Sequence, residues 1–275
     1  MKNLTKELEL NQNIKPTILK LGGSVITRKE RPLTPNKRAI RRLAREISRA
    51  KVEGLIIVHG GGSFGHPVAK EYEIAEGFKD KSQLIGFSKT SQAMTMLNEM
   101  IVEALLNEGI PAVAVRPSSF IVTKHSRIEK ADWNVVAKLL ELGFVPVLYG
   151  DAVLDSAVGF TILSGDQLVA ELAIEFNAER VIIAVDVDGI YTADPKVDGS
   201  AKLMKSISLE QLKEVEDKIG ESKLIDVTGG MLGKINELTR AVMHGIPVLI
   251  VNGLKPNKIY KALRRERVVG TLITR

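Results

Sequence analysis

The sequence predicts an α/β protein with an open, mostly parallel central sheet and helices on both faces. Short runs of β-branched and aliphatic residues alternate with stretches of helical periodicity along the 275 residues, which is the order that βα units produce. The strand candidates are apolar throughout, as in Gly54–Val58 (GLIIV) and Ile246–Val251 (IPVLIV). Strands of this kind are buried on both faces, and sheets built from them are parallel.

The elements follow one another closely along the chain. The strands predicted from their apolar runs are Pro16–Leu21, Gly54–Val58, Ala112–Val115, Phe144–Leu148, Arg180–Val185 and Ile246–Val251. The helices predicted from apolar residues at helical spacing are Asn36–Arg49, Lys81–Asn107, Asp132–Leu142, Leu168–Phe176, Ser208–Asp217 and Ile235–His244. We expect Gly143 to end the third of these helices and Ser208 to cap the N-terminus of the fifth.

Composition excludes several classes of function. The chain has no cysteine, so disulfides, thiolate catalysis and cysteine-based zinc sites are excluded and a reducing cytoplasm is the expected location. No apolar run reaches the roughly 20 residues that span a bilayer, and we expect no membrane insertion. The formal net charge is +6, but aromatic residues make up only 4% of the chain. A base-stacking platform is therefore not expected, and an anionic small ligand is favoured over a nucleic acid.

Three glycine-rich stretches fall at or near strand ends. They are Leu19–Ser24 (LKLGGS), Val58–His66 (VHGGGSFGH) and Asp226–Lys234 (DVTGGMLGK), and the first and third contain Lys20 and Lys234. In open α/β sheets, ligands bind outside the carboxyl ends of the strands, and backbone N–H groups in glycine-rich turns bind anions. The spacing matches neither a Walker A loop nor a dinucleotide fingerprint. These stretches predict a highly charged ligand, such as a nucleoside triphosphate.

The motifs LKLGGS, VHGGGSFGHP, LSGDQ, DVDGIYTADP and DVTGGM, in this order, resemble the amino acid kinase superfamily, whose members phosphorylate an acid or phosphate group with ATP. The FGHP of the second stretch, together with Pro117–Phe120 (PSSF) and Leu163–Gln167 (LSGDQ), is similar to the isopentenyl phosphate kinases. The related fosfomycin kinases share much of this pattern. The resemblance runs from Thr17 to the end of the chain. It implies a three-layer sandwich with a phosphate-acceptor lobe (1–178) and a nucleotide-binding lobe (179–275) in one continuous fold.

The resemblance also implies residue roles. Lys20 and Lys234 would neutralise charge on the transferring phosphoryl group, Asp166 would orient both lysines, and His66 would contact the acceptor phosphate. The implied ATP-binding residues are Lys20, Gly22, Gly23, Ser24, Gly62, Asp186, Asp188, Gly189, Tyr191, Gly230 and Lys234, and the implied acceptor-binding residues are Gly61, Gly62, His66 and Gly165. Lys29 is expected either to reach the phosphates or to be a solvated loop lysine. For His59, at the strand end, we expect a structural role in hydrogen-bonding the turn.

The resulting hypothesis is ATP-dependent phosphorylation of isopentenyl phosphate to isopentenyl diphosphate, for isoprenoid biosynthesis by an alternative mevalonate route. Two alternatives stay open: a related phosphate or phosphonate kinase, such as a fosfomycin kinase, and a nucleotide-binding regulator without catalysis. Mg²⁺ is expected to arrive on ATP, without a protein metal site, and a homodimer is usual in the superfamily. Candidates for contact with an apolar acceptor tail, which helical spacing equally assigns to the core, are Phe87, Met94, Leu97, Phe120, Val153 and Ile162.

Overall fold

The computed structural model describes residues 15–193, 198–211 and 229–275. The strands are β1 (Thr17–Leu21), β2 (Leu55–His59), β3 (Ala112–Ala114), β4 (Ile121–Lys124), β5 (Arg127–Ala131), β6 (Val145–Tyr149), β7 (Asp151–Asp155), β8 (Gly159–Leu163), β9 (Arg180–Val185), β10 (Ser206–Ser208), β11 (Val248–Asn252) and β12 (Gly270–Thr274). Within the described ranges, eight of these strands form the central sheet, in the order β10-β12-β11-β9-β1-β2-β6-β3. All neighbours are parallel except β11 and β12, so the predicted fold class is confirmed.

Helices cover both faces of this sheet. They are α1 (Gly23–Ile26), α2 (Lys37–Ala50), α3 (Gly62–Glu71), α4 (Ser82–Leu106), α5 (Asn134–Glu141), α6 (Gly165–Glu175), α7 (Gly229–Met243) and α8 (Lys258–Leu263), with single 3₁₀ turns at Ile74–Glu76 and Pro117–Ser119. The buried side chains of α1, α2, α4 and α8 form one core with the sheet, and those of α5, α6 and α7 form a second core on the opposite face. This is a three-layer arrangement of helix, sheet and helix.

Period-two alternation along each strand decides which core a side chain enters. In β1, Ile18 faces the α6 side of the sheet, whereas Leu19 and Leu21 face the α2 side. In β9, Val181 faces the α6 side and Ile182 faces the α2 side. Because both faces are buried, the strands are continuously apolar, and this is the pattern that the sequence shows.

A second sheet lies beyond the carboxyl end of β6. It has the order β5-β4-β7-β8, with antiparallel pairs except for the parallel pair of β4 and β7. Gly150 separates β6 from β7, and its N–H donates to the carbonyl of His59 (3.1 Å). The chain thus passes directly from the central sheet into the small one. These four strands were not predicted from the sequence.

Several local predictions differ from the structure at the glycine-rich stretches. The second stretch is helical from Gly62 onward, and the third contains the start of α7 at Gly229, whereas both were predicted as turns. Ser208 ends β10 and caps the following helical turn as predicted. Its hydroxyl accepts from the Gln211 N–H (3.2 Å), and the Gln211 side chain accepts from the Ser208 N–H (3.0 Å), which is a capping box.

None of the helices in the described ranges is long and apolar enough to cross a membrane.

Candidate active site

Three helices begin at the edge where the parallel strands β1, β2 and β9 end. Helix α1 follows Gly22 at the end of β1, α3 follows Gly61 at the end of β2, and α6 follows Ser164 beside them. The first N–H groups of a helix have no intrahelical acceptor, and the helix dipole adds partial positive charge there. The convergence of three such ends makes this edge of the sheet suited to bind anions.

The first two glycine-rich stretches touch through their backbones. A Cβ atom on Gly23 would overlap the backbone N of Gly62, and one on Gly62, whose φ is +48°, would overlap the Thr27 side chain and the Gly23 carbonyl. The Thr27 hydroxyl donates to the Gly23 carbonyl (2.7 Å) and accepts from the Ser63 N–H (3.0 Å). Glycine is required at both positions because any side chain would force the two helix starts apart.

The N–H of Gly22 was expected to bind a phosphate, but it already has an acceptor in the sheet. This N–H donates to the carbonyl of Ala184 in β9 (2.9 Å), so it continues the sheet and does not point at a ligand. Here the prediction of a phosphate-binding N–H was wrong. The N–H groups of Gly23, Ser24 and Gly62 stand at the first positions of α1 and α3, where donors remain for an anion.

A buried ion pair lies beside these helix starts. Alternation along β1 places Lys20 on the face covered by α6, and its ammonium group contacts the carboxylate of Asp166 in the first turn of α6. The Lys20 side chain is 4% exposed and that of Asp166 is 16% exposed. A lysine buried to this extent needs a charged partner. A Cβ atom on Gly165 would make an ordinary contact with Cε of Lys20 (3.5 Å) and a tight one with the His59 carbonyl oxygen (3.3 Å), so α6 begins close against the end of β2.

His66 lies in the second turn of α3 and is exposed, on a helix and not in a flexible loop as the glycines had suggested. The next residue, Pro67, has no N–H for the carbonyl of Ser63 one turn earlier. That carbonyl accepts instead from the N–H of Leu33 (2.9 Å), and the Ser63 hydroxyl donates to the carbonyl of Thr34 (3.2 Å). The proline therefore frees a carbonyl that holds the loop between α1 and α2 against α3.

His59 is structural, as expected. Its ring is fully buried and stacks on Tyr149, with 5.2 Å between ring centroids. Its Nδ1 lies 3.2 Å from the Gly60 carbonyl, which only accepts, so Nδ1 carries the proton and Nε2 accepts from the Asn98 amide (3.1 Å). Burial lowers the pKa of His59 to about 4, against the opposing effect of the Gly60 hydrogen bond. The ring is neutral and has no free nitrogen for a substrate.

The segment expected to line the nucleotide pocket follows β9. Asp186 lies 3.5 Å from the ammonium group of Lys29. Burial alone would raise the pKa of Asp186, but the charge of Lys29 and hydrogen bonds, one of them from Ser24, outweigh it and lower the pKa. The structure thus brings Asp186 to the first glycine stretch. The Lys29 side chain is 69% exposed, so this ion pair lies at the surface.

The other residues of this segment have partners at the same edge. Asp188 accepts from the amide of Asn252 (3.1 Å) and pairs with Lys255 (2.7 Å), both in or next to the end of β11. At Gly189 a Cβ atom would overlap the Thr271 hydroxyl, which accepts from the Ile190 N–H (2.8 Å). Packing against β12 therefore explains this glycine. Tyr191 forms an isolated bridge with Leu203.

Two predicted residues lie on α7. Gly230 and Lys234 stand in the first two turns of this helix, so the backbone of both is helical. The residues before α7, including Asp226–Thr228 of the third glycine-rich stretch, lie outside the described residues, as do 194–197 at the end of the DVDGIYTADP motif.

Comparison with known proteins shows the family of this chain. The model of the amino acid kinase family matches residues 15–252. The chain is 44% identical to isopentenyl phosphate kinase of Methanothermobacter thermautotrophicus over 94% of this chain and 98% of the relative. The chain belongs to the amino acid kinase family. Within that family it groups with the isopentenyl phosphate kinases, as the sequence resemblance predicted.

Solved structures agree with this assignment. The described fold matches an X-ray structure of isopentenyl phosphate kinase with a TM-score of 0.82 at 42% identity, covering 94% of this chain and 99% of the other. An isopentenyl phosphate kinase substrate complex matches with a TM-score of 0.78 at 29% identity, over 94% and 100% of the two chains. The second glycine-rich stretch and its FGHP continuation, which singled out this branch of the amino acid kinase family, lie at the helix start described above.

One polar cluster in this amino acid kinase was not predicted from the sequence. Asp151, the first residue of β7, is fully buried, and it accepts from the Ser91 hydroxyl on α4 (3.0 Å). Arg116 donates to Ser91 and lies 3.8 Å from Asp151. Burial raises the pKa of Asp151, against hydrogen bonds from Ser118 and Ser91 and the charge of Arg116, which lower it. An aspartate directly after Gly150, at the end of an apolar strand, was the available signal.

An apolar cluster lies next to α3 on the side of the small sheet. Its members come from α3 and the residue after it, the 3₁₀ turn at Ile74–Glu76, α4 and the β7–β8 hairpin. They are Ala69, Tyr72, Ile74, Phe87, Ala152, Phe160 and Ile162. Phe87 and Phe160 pack with 5.4 Å between ring centroids. Of the candidates for the acceptor tail, Phe87 and Ile162 belong here. Leu97 and Val153 lie in the two main cores, Phe120 packs against one of them, and Met94 packs on Gly61 and Gly65.

Proposed function

We propose that this chain transfers the γ-phosphoryl group of ATP to the phosphate of isopentenyl phosphate, forming isopentenyl diphosphate and ADP for isoprenoid biosynthesis. The observation that carries the proposal is the Lys20–Asp166 pair at the meeting point of three glycine-started helices, in a chain that is 44% identical to an isopentenyl phosphate kinase. A buried cation held beside helix N-termini is what the transfer of phosphoryl between two anions requires.

In this mechanism the protein supplies position and charge. An oxygen of the acceptor phosphate attacks the γ-phosphorus, the bond from that phosphorus to the β-γ bridging oxygen breaks, and ADP leaves with the electron pair. The acceptor phosphate is mostly ionised at neutral pH, so no strong general base is needed. Lys20 neutralises the charge that develops on the moving group, and Asp166 fixes the direction of the Lys20 side chain. Lys234, which follows Gly230 on α7, would act from the nucleotide side.

The acceptor lies, in this proposal, between α3 and α6. The N–H groups of Gly61, Gly62 and Gly165 and the ring of His66 would hold its phosphate. The apolar cluster beside α3, with Phe87 and Ile162, would hold its five-carbon chain. The location of this cluster next to the helix that carries His66 supports the assignment, because an isopentenyl chain needs an apolar surface within a few ångströms of its phosphate.

ATP would lie along the carboxyl ends of β1, β9 and β11, next to Gly23, Ser24 and the Asp186–Tyr191 segment. Among the described residues no group of three histidine or acidic side chains could hold a metal ion. In this proposal Mg²⁺ enters with the nucleotide as Mg·ATP, with water as its main partner. The proposed lobes, 1–178 for the acceptor and 179–275 for the nucleotide, meet along β1 and β9, and we expect a homodimer in the cytoplasm.

A coupled assay of ADP release tests this function. The purified chain is given Mg·ATP with isopentenyl phosphate, dimethylallyl phosphate, fosfomycin, carbamate or acetylglutamate, and Lys20→Ala serves as the inactive control. We expect the highest kcat/KM with isopentenyl phosphate. ADP release with isopentenyl phosphate no faster than that of the control, or a higher kcat/KM with fosfomycin, would overturn the proposal. ADP release with none of the five acceptors would favour a nucleotide-binding regulator.

A further inference from the structure

A cavity lies at the amino ends of the central strands, on the edge of the sheet opposite the candidate active site. It has a volume of about 580 Å³, which is within the usual range for small-molecule sites. It is formed by the first residues of β1 and β9, the turn before β2 and the end of α8. The lining residues are Lys15, Thr17, Val52, Glu53, Glu179, Arg180, Leu263, Arg264 and Arg265.

The lining carries more positive than negative charge. Four of its residues are basic and two are acidic, and one of the acidic residues, Glu179, is already paired with Arg265. The basic residues come from three separate parts of the chain: Lys15 precedes β1, Arg180 begins β9, and Arg264 follows α8. The fold, and not a local run of charge, brings them to one cavity.

Arg180 is the most constrained of these side chains. One of its terminal nitrogens donates to the Leu263 carbonyl (2.6 Å), which fixes the guanidinium group in place. Its Nε is buried and has no hydrogen-bond partner among the described residues. Burial also lowers the pKa of Arg180. A buried N–H donor without an acceptor is costly and rare in folded proteins. Because this Nε has no exposed surface, a ligand in the cavity would meet the terminal nitrogens of the Arg180 guanidinium group and not Nε.

We propose that this cavity is a second anion site that binds a phosphate or diphosphate group, with Arg180 as its fixed donor and Arg264 and Lys15 as surrounding charge. A guanidinium group donates in a planar fork that matches the oxygens of phosphate. Val52 and Leu263 give the cavity an apolar side, so the ligand has room for a short organic group. Strands β1 and β9 run from this cavity to Lys20 and to the start of the nucleotide segment, so the ligand would contact the two strands that carry the site.

The test is calorimetric titration of the full chain with inorganic pyrophosphate at fixed ionic strength. Because the active site also binds phosphates, the titration is done in the Lys20→Ala variant, whose active site is weakened. We expect this variant to bind one pyrophosphate per chain at the cavity. Adding Arg264→Glu or Arg180→Gln should weaken that binding at least tenfold, whereas Arg267→Glu, an exposed arginine outside the cavity lining, should change it little.

Isopentenyl diphosphate in place of pyrophosphate distinguishes the two sources of the anion. Tighter binding of the organic diphosphate indicates that Val52 and Leu263 contact the carbon chain, and equal binding indicates a site for the inorganic anion. If Arg180→Gln fails to fold, the exposed Arg264→Glu variant still decides the question. The proposal is overturned if Lys20→Ala binds no pyrophosphate, or if adding Arg264→Glu leaves the affinity unchanged. Neither result depends on whether the chain phosphorylates isopentenyl phosphate.

Discussion

At the scale of single residues, the two histidines that flank the second glycine-rich stretch have opposite surroundings. His59 is fully buried between Tyr149 and Asn98, and His66 is exposed on α3. Burial removes His59 from contact with any substrate, whereas His66 lies at the surface in the second turn of the glycine-started helix α3. The two residues therefore lead to different experiments.

His66 is expected to donate a hydrogen bond to the acceptor phosphate and not to act as a base. A hydrogen bond to a charged group contributes about 1.5–3 kcal/mol, so His66→Ala should lower kcat/KM for isopentenyl phosphate about 10- to 150-fold. His66→Gln should recover part of this loss, since its amide can donate to the same oxygen. The measurement is kcat/KM at saturating ATP, with folding checked by circular dichroism. A folded His66→Gln variant as inactive as His66→Ala would point to proton transfer instead.

His59 should make the stability of the protein depend on pH. Its pKa falls from 6.5 to about 4 in the folded state, so the unfolded chain binds the proton more readily. Stability from this residue is therefore complete above about pH 6.5 and is lost as pH falls toward 4, by up to about 3 kcal/mol. Urea unfolding at pH 7 and pH 5 should show a smaller decrease for His59→Asn than for the parent chain. The exposed His244→Asn is the control and should behave like the parent.

At the scale of elements, Glu46 on α2 holds the start of α8. Its buried carboxylate accepts from the N–H groups of Asn257 (2.9 Å), Ile259 (3.1 Å) and Tyr260 (3.1 Å), and it pairs with Arg42. Arg42 in turn donates to the Gly253 and Lys255 carbonyls. The loop that contains Lys255, the partner of Asp188, is thus held in place by the Arg42–Glu46 ion pair on α2.

Removing this carboxylate should destabilise the protein strongly. Glu46→Ala leaves a guanidinium group and three N–H donors without their acceptor, and we expect a loss of about 3–5 kcal/mol in the free energy of unfolding. Glu46→Gln keeps one acceptor oxygen and should lose less. The exposed pair of Arg45 with Glu108 gives the control, since Glu108→Ala should change stability by at most about 1 kcal/mol. Equal losses for Glu46→Ala and Glu108→Ala in chemical unfolding would contradict this role.

The apolar cluster beside α3 should limit the length of the acceptor. Phe87 and Phe160 close it with a tilted ring pair, so a five-carbon phosphate should be used well and geranyl phosphate poorly. Phe87→Ala should shift the ratio of kcat/KM toward geranyl phosphate, whereas Leu97→Ala, which opens the main core instead, should not. An unchanged ratio in a folded Phe87→Ala variant would place the acceptor chain elsewhere.

At the scale of elements, the sequence predicted the strands of the central sheet that have continuous apolar runs, and it missed the small sheet, even where β7 and β8 are largely buried. Strands such as β2 and β9 are continuously apolar because both sides of the sheet are covered. In contrast, β5 (RIEKA) is largely exposed and leaves no apolar run to detect. Glycine disfavours helix, so the sequence predicts a loop at Gly61–Gly65. Tertiary contact with Thr27 and Met94 overrides that preference.

The residues of the candidate site could be predicted only from the order of the motifs along the chain. Lys20 and Asp166 are 146 positions apart, and nothing in their local sequences indicates contact; the family resemblance paired them. The occupied N–H of Gly22 was not predictable, because it depends on the register between β1 and β9. The same holds for Arg116 and Ser91, which only the path of β6 into β7 brings to Asp151.

At the scale of the whole molecule, one sheet runs through both proposed lobes. β1, from the acceptor lobe, pairs in parallel with β2 and with β9 of the nucleotide lobe, over all five residues on each side. A boundary at 178/179 therefore lies between two adjacent strands of a single sheet. Separating the lobes would expose apolar side chains on both new edges.

We therefore expect the two lobes to unfold together. Differential scanning calorimetry should give one transition whose calorimetric and van't Hoff enthalpies agree, and a fragment of residues 1–178 should not fold alone. The matched comparison is the two fragments mixed together, which can restore the sheet. Two resolved transitions in the intact chain, or a folded 1–178 fragment, would show that the lobes are independent units.

The contact between Gly23 and Gly62 also sets a boundary for laboratory evolution of this enzyme. Even alanine at either position would push one backbone into the other, so a library randomised there would consist almost entirely of inactive clones. Random substitutions are better placed in α4 and the β7–β8 hairpin, where side chains and not the main chain form the apolar cluster. New acceptors should therefore be selected from changes at that wall, while the glycines stay invariant in every round.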